Sequence, residues 1–197
     1  MRISIFILAA TLLFAACNNN AKNPDTVKLK TEDGSDVTIQ ANSMNEQAQK
    51  MEQRSEELQK LTPLTLDELK ALLPEELMGA KKSKQQVTTA IGTGMATAEY
   101  KVNDSTELKV TIWDCGGPGG VGFYNMQYMT MFNFESDSDE EYTKTIEFDG
   151  KRGFEQCSKI EAECRLTYFG GDRFLVSLDG ENISASELRD VSAQIIR

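Results

Sequence analysis

The hydrophobic rhythm of the chain changes several times, and each change predicts a new element. Residues 3–16 are apolar or small, with Ser4 and Thr11 as the polar breaks. Coiled as a helix they span about 21 Å, short of a ~30 Å hydrocarbon core. A short apolar stretch behind a positive start (Arg2 and the amino terminus) predicts a signal peptide over 1–16 rather than a membrane anchor. Residues 17–26, CNNNAKNPDT, are polar and have nothing to bury, which predicts a tether. Val27 and Leu29 then alternate with lysines, Asp33-Gly34 marks a turn, and Val37 and Ile39 alternate again, as in a short hairpin. Ser43 and Glu46 make a capping box, and Met44, Ala48, Met51 and Leu58 follow helical spacing up to the break at Pro63. The segment 27–62 is therefore read as a hairpin and an amphipathic helix.

Residues 63–197 read as one folded body. Thr65 and Glu68 form a second capping box, Leu66, Leu69, Leu72 and Leu73 an apolar face, and Pro74 a stop. Gly79 and the KKSK run at 81–84 suggest a solvated connection. Beyond residue 87 the period drops to two. Ala96, Ala98, Tyr100 and Val102 share one strand face, and Leu108, Val110 and Ile112 share the next. A Gly-rich bend at 116–122 leads into FYNMQYMTMFNF, whose length and poor alternation predict a buried helix over 123–134. Acidic residues fill 135–141. Four strands follow, marked by Ile146 and Phe148, Phe154 and Cys157, Leu166 and Tyr168, and then Phe174, Val176 and Leu178. Ser184 and Glu187 cap a last helix carrying Leu188, Val191 and Ile195. The predicted fold is α+β: an antiparallel sheet of about six strands in the order strand, strand, helix, four strands, helix, preceded by helices, with the helices on one face.

Composition narrows the function classes. The formal net charge is −10, so the chain lacks the basic footprint that nucleic acid binding requires, and an anionic lipid surface would repel it. There is no histidine, which removes Ser-His-Asp and Cys-His catalysis and the commonest zinc ligand. No metal site and no cofactor is expected.

Ala15, Ala16 and Cys17 resemble the lipobox of bacterial lipoproteins, with Phe14 standing where that family usually has Leu. The resemblance implies cleavage before Cys17, lipidation of Cys17, and stable anchoring through two or three acyl chains, since one chain alone binds marginally. Asn18 after the cysteine, in place of Asp, implies the outer membrane, and because no acidic run of the kind that suggests surface display follows Cys17 directly, a periplasm-facing position is expected. Within 66–195, LKALLPEELMG, AEYK, KVTIWD, YTKTIEFDGKRGFE and DRFLVSLDG look like an uncharacterised family of exported bacterial α+β proteins. A helix over a curved antiparallel sheet is also similar to helix-grip and PsbP-like folds, an analogy of element order that carries no activity.

Candidate chemistry is sparse. Gly117-Pro118-Gly119-Gly120-Val121-Gly122 matches G-x-G-x-x-G, but Pro118 has no amide hydrogen and the neighbouring strands look hairpin-linked, so a bend is the expectation. Cys115 sits among glycines without a C-x-x-C partner, and the adjacent Asp114 would raise its pKa. Cys157 and Cys164 flank SKIEAE between two strands, and a disulfide between them is expected. Its small loop would stabilise by about 2.5 kcal/mol on a chain-entropy model. Pairing of either with Cys115 is the alternative. The acidic run lacks the mid-loop glycine of a calcium loop. Tyr124, Met126, Tyr128, Met129 and Phe132 make the candidate apolar ligand site, because methionine and aromatic side chains adapt to irregular apolar shapes. The functional expectation is a membrane-anchored envelope lipoprotein with a non-catalytic domain that binds an apolar small molecule or another envelope protein. The competing expectation is an exported enzyme using Cys115 or the acidic loop 135–141.

Overall fold

The computed structural model describes residues 26–30, 36–90, 92–126 and 133–196, and the side chains among them from residue 48 onward. Cys17 and the predicted signal peptide lie outside the described residues. The chain divides into two units, Met1–Ser43 and Met44–Arg197. In the first, β1 (Thr26–Lys30) and β2 (Asp36–Gln40) pair antiparallel with Val27 opposite Ile39 and Leu29 opposite Val37, the predicted hairpin. Helix α1 (Ala41–Gln59) begins two residues before the predicted Ser43 cap.

The second unit takes in α1 from Met44 onward together with the predicted body, and Leu58 of α1 is fully buried. After α1 come α2 (Leu66–Ala71), β3 (Glu76–Leu77), β4 (Ala80–Ala90), β5 (Thr93–Lys101) and β6 (Glu107–Asp114). Then follow α3 (Val121–Met126), β7 (Glu135–Asp137), β8 (Glu141–Phe148), β9 (Lys151–Ser158), β10 (Glu163–Gly170), β11 (Phe174–Glu181) and α4 (Ala185–Ser192). Among the described residues the main sheet has nine strands in the order β3-β4-β5-β6-β11-β10-β9-β8-β7. Every neighbouring pair is antiparallel. The chain meanders from one edge to the centre, crosses after β6 to the far edge, and meanders back until β11 closes against β6. The α+β class stands, but the sheet is larger than the six strands predicted. The KKSK run is not a connection: it opens β4, an eleven-residue strand.

Both capping boxes predicted in the body are present. Thr65 accepts from the Glu68 amide while Glu68 accepts from the Thr65 amide, and Ser184 and Glu187 do the same. These bonds hold the Glu68 and Glu187 carboxyls below the usual carboxylate range, chiefly through the Thr65 amide and the Ser184 hydroxyl respectively.

Alternation along the strands makes two faces. On one, Ala96, Ala98, Tyr100, Leu108, Val110, Ile112, Leu166, Tyr168, Val176 and Leu178 form the main core. Leu69 and Leu73, on and just after α2, and Leu188 and Val191 of α4 cover it. On the opposite face Trp113, Leu175 and Phe169 lie in one cross-strand row and pack with Leu58 of α1 and with Val121, Phe123 and Tyr124 of α3. Helices therefore pack on both faces, not on one as the sequence pattern suggested. Leu58 and the start of α3 reach the sheet from the side that strand alternation assigns to solvent.

Candidate functional site

The residues singled out for chemistry are mostly built into the fold. The Gly-rich bend is a turn around a buried ion pair. Asp114 ends β6 on the core face and is fully buried. Its Oδ1 accepts from the Gly116 amide at 2.9 Å and from Arg173 Nε at 2.7 Å. Its Oδ2 accepts from the Leu64 amide at 2.8 Å and from Arg173 Nη2 at 3.0 Å. Arg173 Nη2 also donates to the Thr62 carbonyl at 2.7 Å. One carboxylate thus joins the α1–α2 connection, the end of β6 and the β10–β11 turn. Gly117 has φ +82°, and a Cβ on Gly120 would sit 2.5 Å from the backbone oxygens of Asp114 and Gly116. The glycines serve this crossing, not a phosphate, and the strands around them are antiparallel.

Cys115 is fully buried. Burial, first of all, pushes its thiol up to about 12, so it is protonated at neutral pH and poorly suited to attack a substrate. Cys157 and Cys164 are disulfide-bonded with their Cα atoms 4.1 Å apart, directly opposite each other on β9 and β10. This is the pairing expected, and among the described residues it leaves Cys115 as the free thiol.

The acidic segment divides. Glu135 and Asp137 belong to β7, which pairs with β8. Asp137 bonds Lys159 at 2.5 Å, and Glu141 accepts from Gln156 at 2.9 Å. Among the described residues no group of three His, Cys, Asp or Glu side chains is placed to hold a metal ion.

Of the apolar ligand candidates, Tyr128, Met129 and Phe132 lie outside the described residues. Helix α3 covers the first part of the predicted 123–134 helix, and residues 133 and 134 have left helical geometry. Tyr124 is buried edge-on against Phe169, with ring centroids 4.9 Å apart, and Trp113 stacks on Phe123 at 6.1 Å. Tyr124 is thus packed as core. Met126 is 59% exposed.

Two charges were not read from the sequence as buried. One is Asp114. The other is Glu155, 2% exposed on the core face of β9. Tyr142 donates to it at 3.0 Å, Lys144 lies 3.2 Å away, and Arg189 of α4 pairs with its other oxygen. Burial, and then this hydrogen bond, raise the Tyr142 pKa. A strand register would have found Glu155, since it shares the parity of Gly153 and Cys157.

The uncovered part of the outer face offers a groove of about 330 Å³ crossing β6, β11, β10 and β9. Its rows are chemically sorted. Next to the apolar row comes a hydroxyl row, in which Thr111 faces Thr97 and Ser177, and Ser177 faces Thr167. Next is a row of alternating charge: Lys84, Glu99, Lys109, Asp179 and Arg165, ending at Gln156. Lys84 pairs with Glu99 at 3.0 Å, and Arg165 pairs with Asp179. Beyond it Glu107, Glu181 and Glu163 stand side by side on three neighbouring strands. Like charges in directly opposite positions destabilise a sheet. The floor is thus saturated with hydroxyl and charge pairs, and the rim is acidic. Such a groove suits a polar partner better than an apolar molecule.

No family model matches this chain, and no curated protein and no solved structure matches it either.

Proposed function

We propose that the chain is a lipid-anchored protein of the bacterial envelope, cut before Cys17 and acylated there, whose body is a non-catalytic binding domain. The outer membrane facing the periplasm is the site we favour. The anchor reading rests on the short apolar start and the Ala15-Ala16-Cys17 junction. The binding reading rests on the polar groove across β6, β11, β10 and β9, which no described helix covers. Its occupant, in this reading, is a polar segment of another envelope protein. Of the groups that an enzyme reading would use, the Cys115 thiol is buried and protonated, and Glu135, Asp137 and Glu141 of the acidic segment lie on β7 and β8.

Photo-cross-linking tests the binding reading. A cross-linker at Lys109, on the groove, should yield a discrete adduct in the envelope, and one at Asp67, exposed on α2, should not. The groove reading fails if both positions give the same products or if Lys109 gives none.

A further inference from the structure

The two edges of the main sheet differ in a way that its packing does not require. One edge is closed by charge. The short strand β7 carries Glu135 and Asp137, Asp139 and Glu140 follow, and Lys144 and Glu147 lie on β8 behind it. Charges on an edge strand are a common guard against pairing with another chain.

The other edge is β4. Strand β3 pairs with it only at Ala80 and Lys81, and the Lys82 amide bonds the Glu75 carbonyl. From Ser83 to Ala90 no described strand pairs with the outer side of β4, although its inner side pairs with β5 down to Ala90. At strand rise this open edge runs about 26 Å. Its lysines stop at Lys84. Lys82 is engaged with Glu75 at 2.8 Å and Lys84 with Glu99 at 3.0 Å. Beyond Lys84 the strand reads Gln85-Gln86-Val87-Thr88-Thr89-Ala90, without charge, glycine or proline, in a chain that is 26% charged. Uncharged, β-branched sequence on an open edge is what strand addition selects.

We infer that this edge is a self-association surface, on which β4 of one copy pairs antiparallel with β4 of a second copy about a two-fold axis. Registers centred on a residue keep the faces of the two sheets aligned, because opposite residues then point to the same face, and the two that use most of the open edge are centred on Gln86 and on Val87. In the first, Lys84 meets Thr88 of the other copy. In the second it meets Ala90. Neither register brings two lysines together, so β4 pairs with its own copy without a like-charge clash. A foreign strand would need no such symmetry. This inference is independent of the lipid anchor and of the groove.

The net charge of −10 per copy opposes association, so added salt should strengthen it. The test is sedimentation velocity on the full chain in mild detergent, with cysteine cross-linking beside it. The wild type should pass from monomer to dimer with concentration, and more readily at 0.5 M salt (roughly a 3 Å to 5 Å screening length) than at low salt. Gln86→Cys or Val87→Cys, oxidised under native conditions, should give a covalent dimer. Gln86→Lys with Thr88→Lys places like charges opposite each other in both registers and should weaken dimerisation at least tenfold. Glu147→Lys, on the other edge, should not weaken it. An unchanged melting profile would show that the variants fold. A monomer at every concentration and salt overturns the inference. So does a dimer that persists in the double-lysine variant, or one in which neither cysteine cross-links, since its interface would lie elsewhere.

Discussion

Replacing Arg173 by Met keeps the length of the side chain and removes its charge from Asp114. Asp114 is fully buried, and the Arg173 side chain is 20% exposed. The carboxylate would keep two donors, the amides of Gly116 and Leu64, and lose both guanidinium bonds. The Thr62 carbonyl would lose its bond as well. Breaking a buried ion pair from one side costs about 3–5 kcal/mol, because the remaining charge is uncompensated. Partial exposure of Arg173 lets water approach, which points to the lower end, about 3 kcal/mol. For a unit of this size that is a melting temperature lower by about 6–12 °C. Urea unfolding of wild type, Arg173→Met, Asp114→Asn and the double variant closes a thermodynamic cycle. The double variant should lose less than the sum of the singles, with a coupling of about 2 kcal/mol or more. Additive losses, or a loss under about 1 kcal/mol for Arg173→Met, would refute the assignment of this pair as the tie between the α1–α2 connection and the sheet.

Other outcomes follow from the same structure. Reducing Cys157–Cys164, or replacing both by Ser, should cost about 2.5 kcal/mol in urea unfolding, as expected for a loop of about eight residues; no change would mean that the β9–β10 hairpin is already fully constrained when unfolded. Cys115 should resist a thiol reagent at pH 8 in the folded protein and react after unfolding; rapid native reaction would restore the thiol-enzyme reading. Burial raises the Cys115 and Tyr100 pKa values to about 12 from ordinary values of 9.0 and 10.0, and raises Tyr168 too. A raised folded-state pKa gives stability that is complete below the unfolded value and lost as pH climbs through the folded one. Stability should therefore fall from about pH 9 toward pH 12, and a flat urea midpoint across that window would contradict the burial of these groups. Gly120→Ala should destabilise severely, because its Cβ would meet backbone oxygens at 2.5 Å that have no room to retreat.

Elements whose apolar positions alternate against a covered face were legible in the sequence. The strands around Ala96–Tyr100, Leu108–Ile112 and Val176–Leu178 carry the main core, and the two capping boxes start α2 and α4 as read. Strands at the edges were not legible. β4 begins with lysines and continues with Gln and Thr because much of it is exposed, and β7 is acidic for the same reason. A strand that buries little writes no period. The aromatic run from Phe123 looked like one long helix because its apolar residues serve two purposes: Phe123 and Tyr124 pack on Trp113 and Phe169, whereas Phe134 meets Phe154 at 6.3 Å. The burial of Asp114 and Glu155 was not legible because a charge at a core position looks like a break in the pattern until its partner, distant in sequence, is known. The groove was invisible for a related reason: its rows are assembled from β6, β11, β10 and β9, and no single segment carries them.

The central claim is that Cys17 carries lipid and ties the binding domain to a membrane. Intact-mass measurement of the chain after export in a bacterial host tests it most directly. The account predicts a protein beginning at Cys17, heavier than its amino acids by two or three acyl chains, recovered with membranes, and released without acyl mass when Cys17→Ser is exported instead. A wild-type chain that is cut elsewhere, or that begins at Cys17 with no added mass, would contradict it.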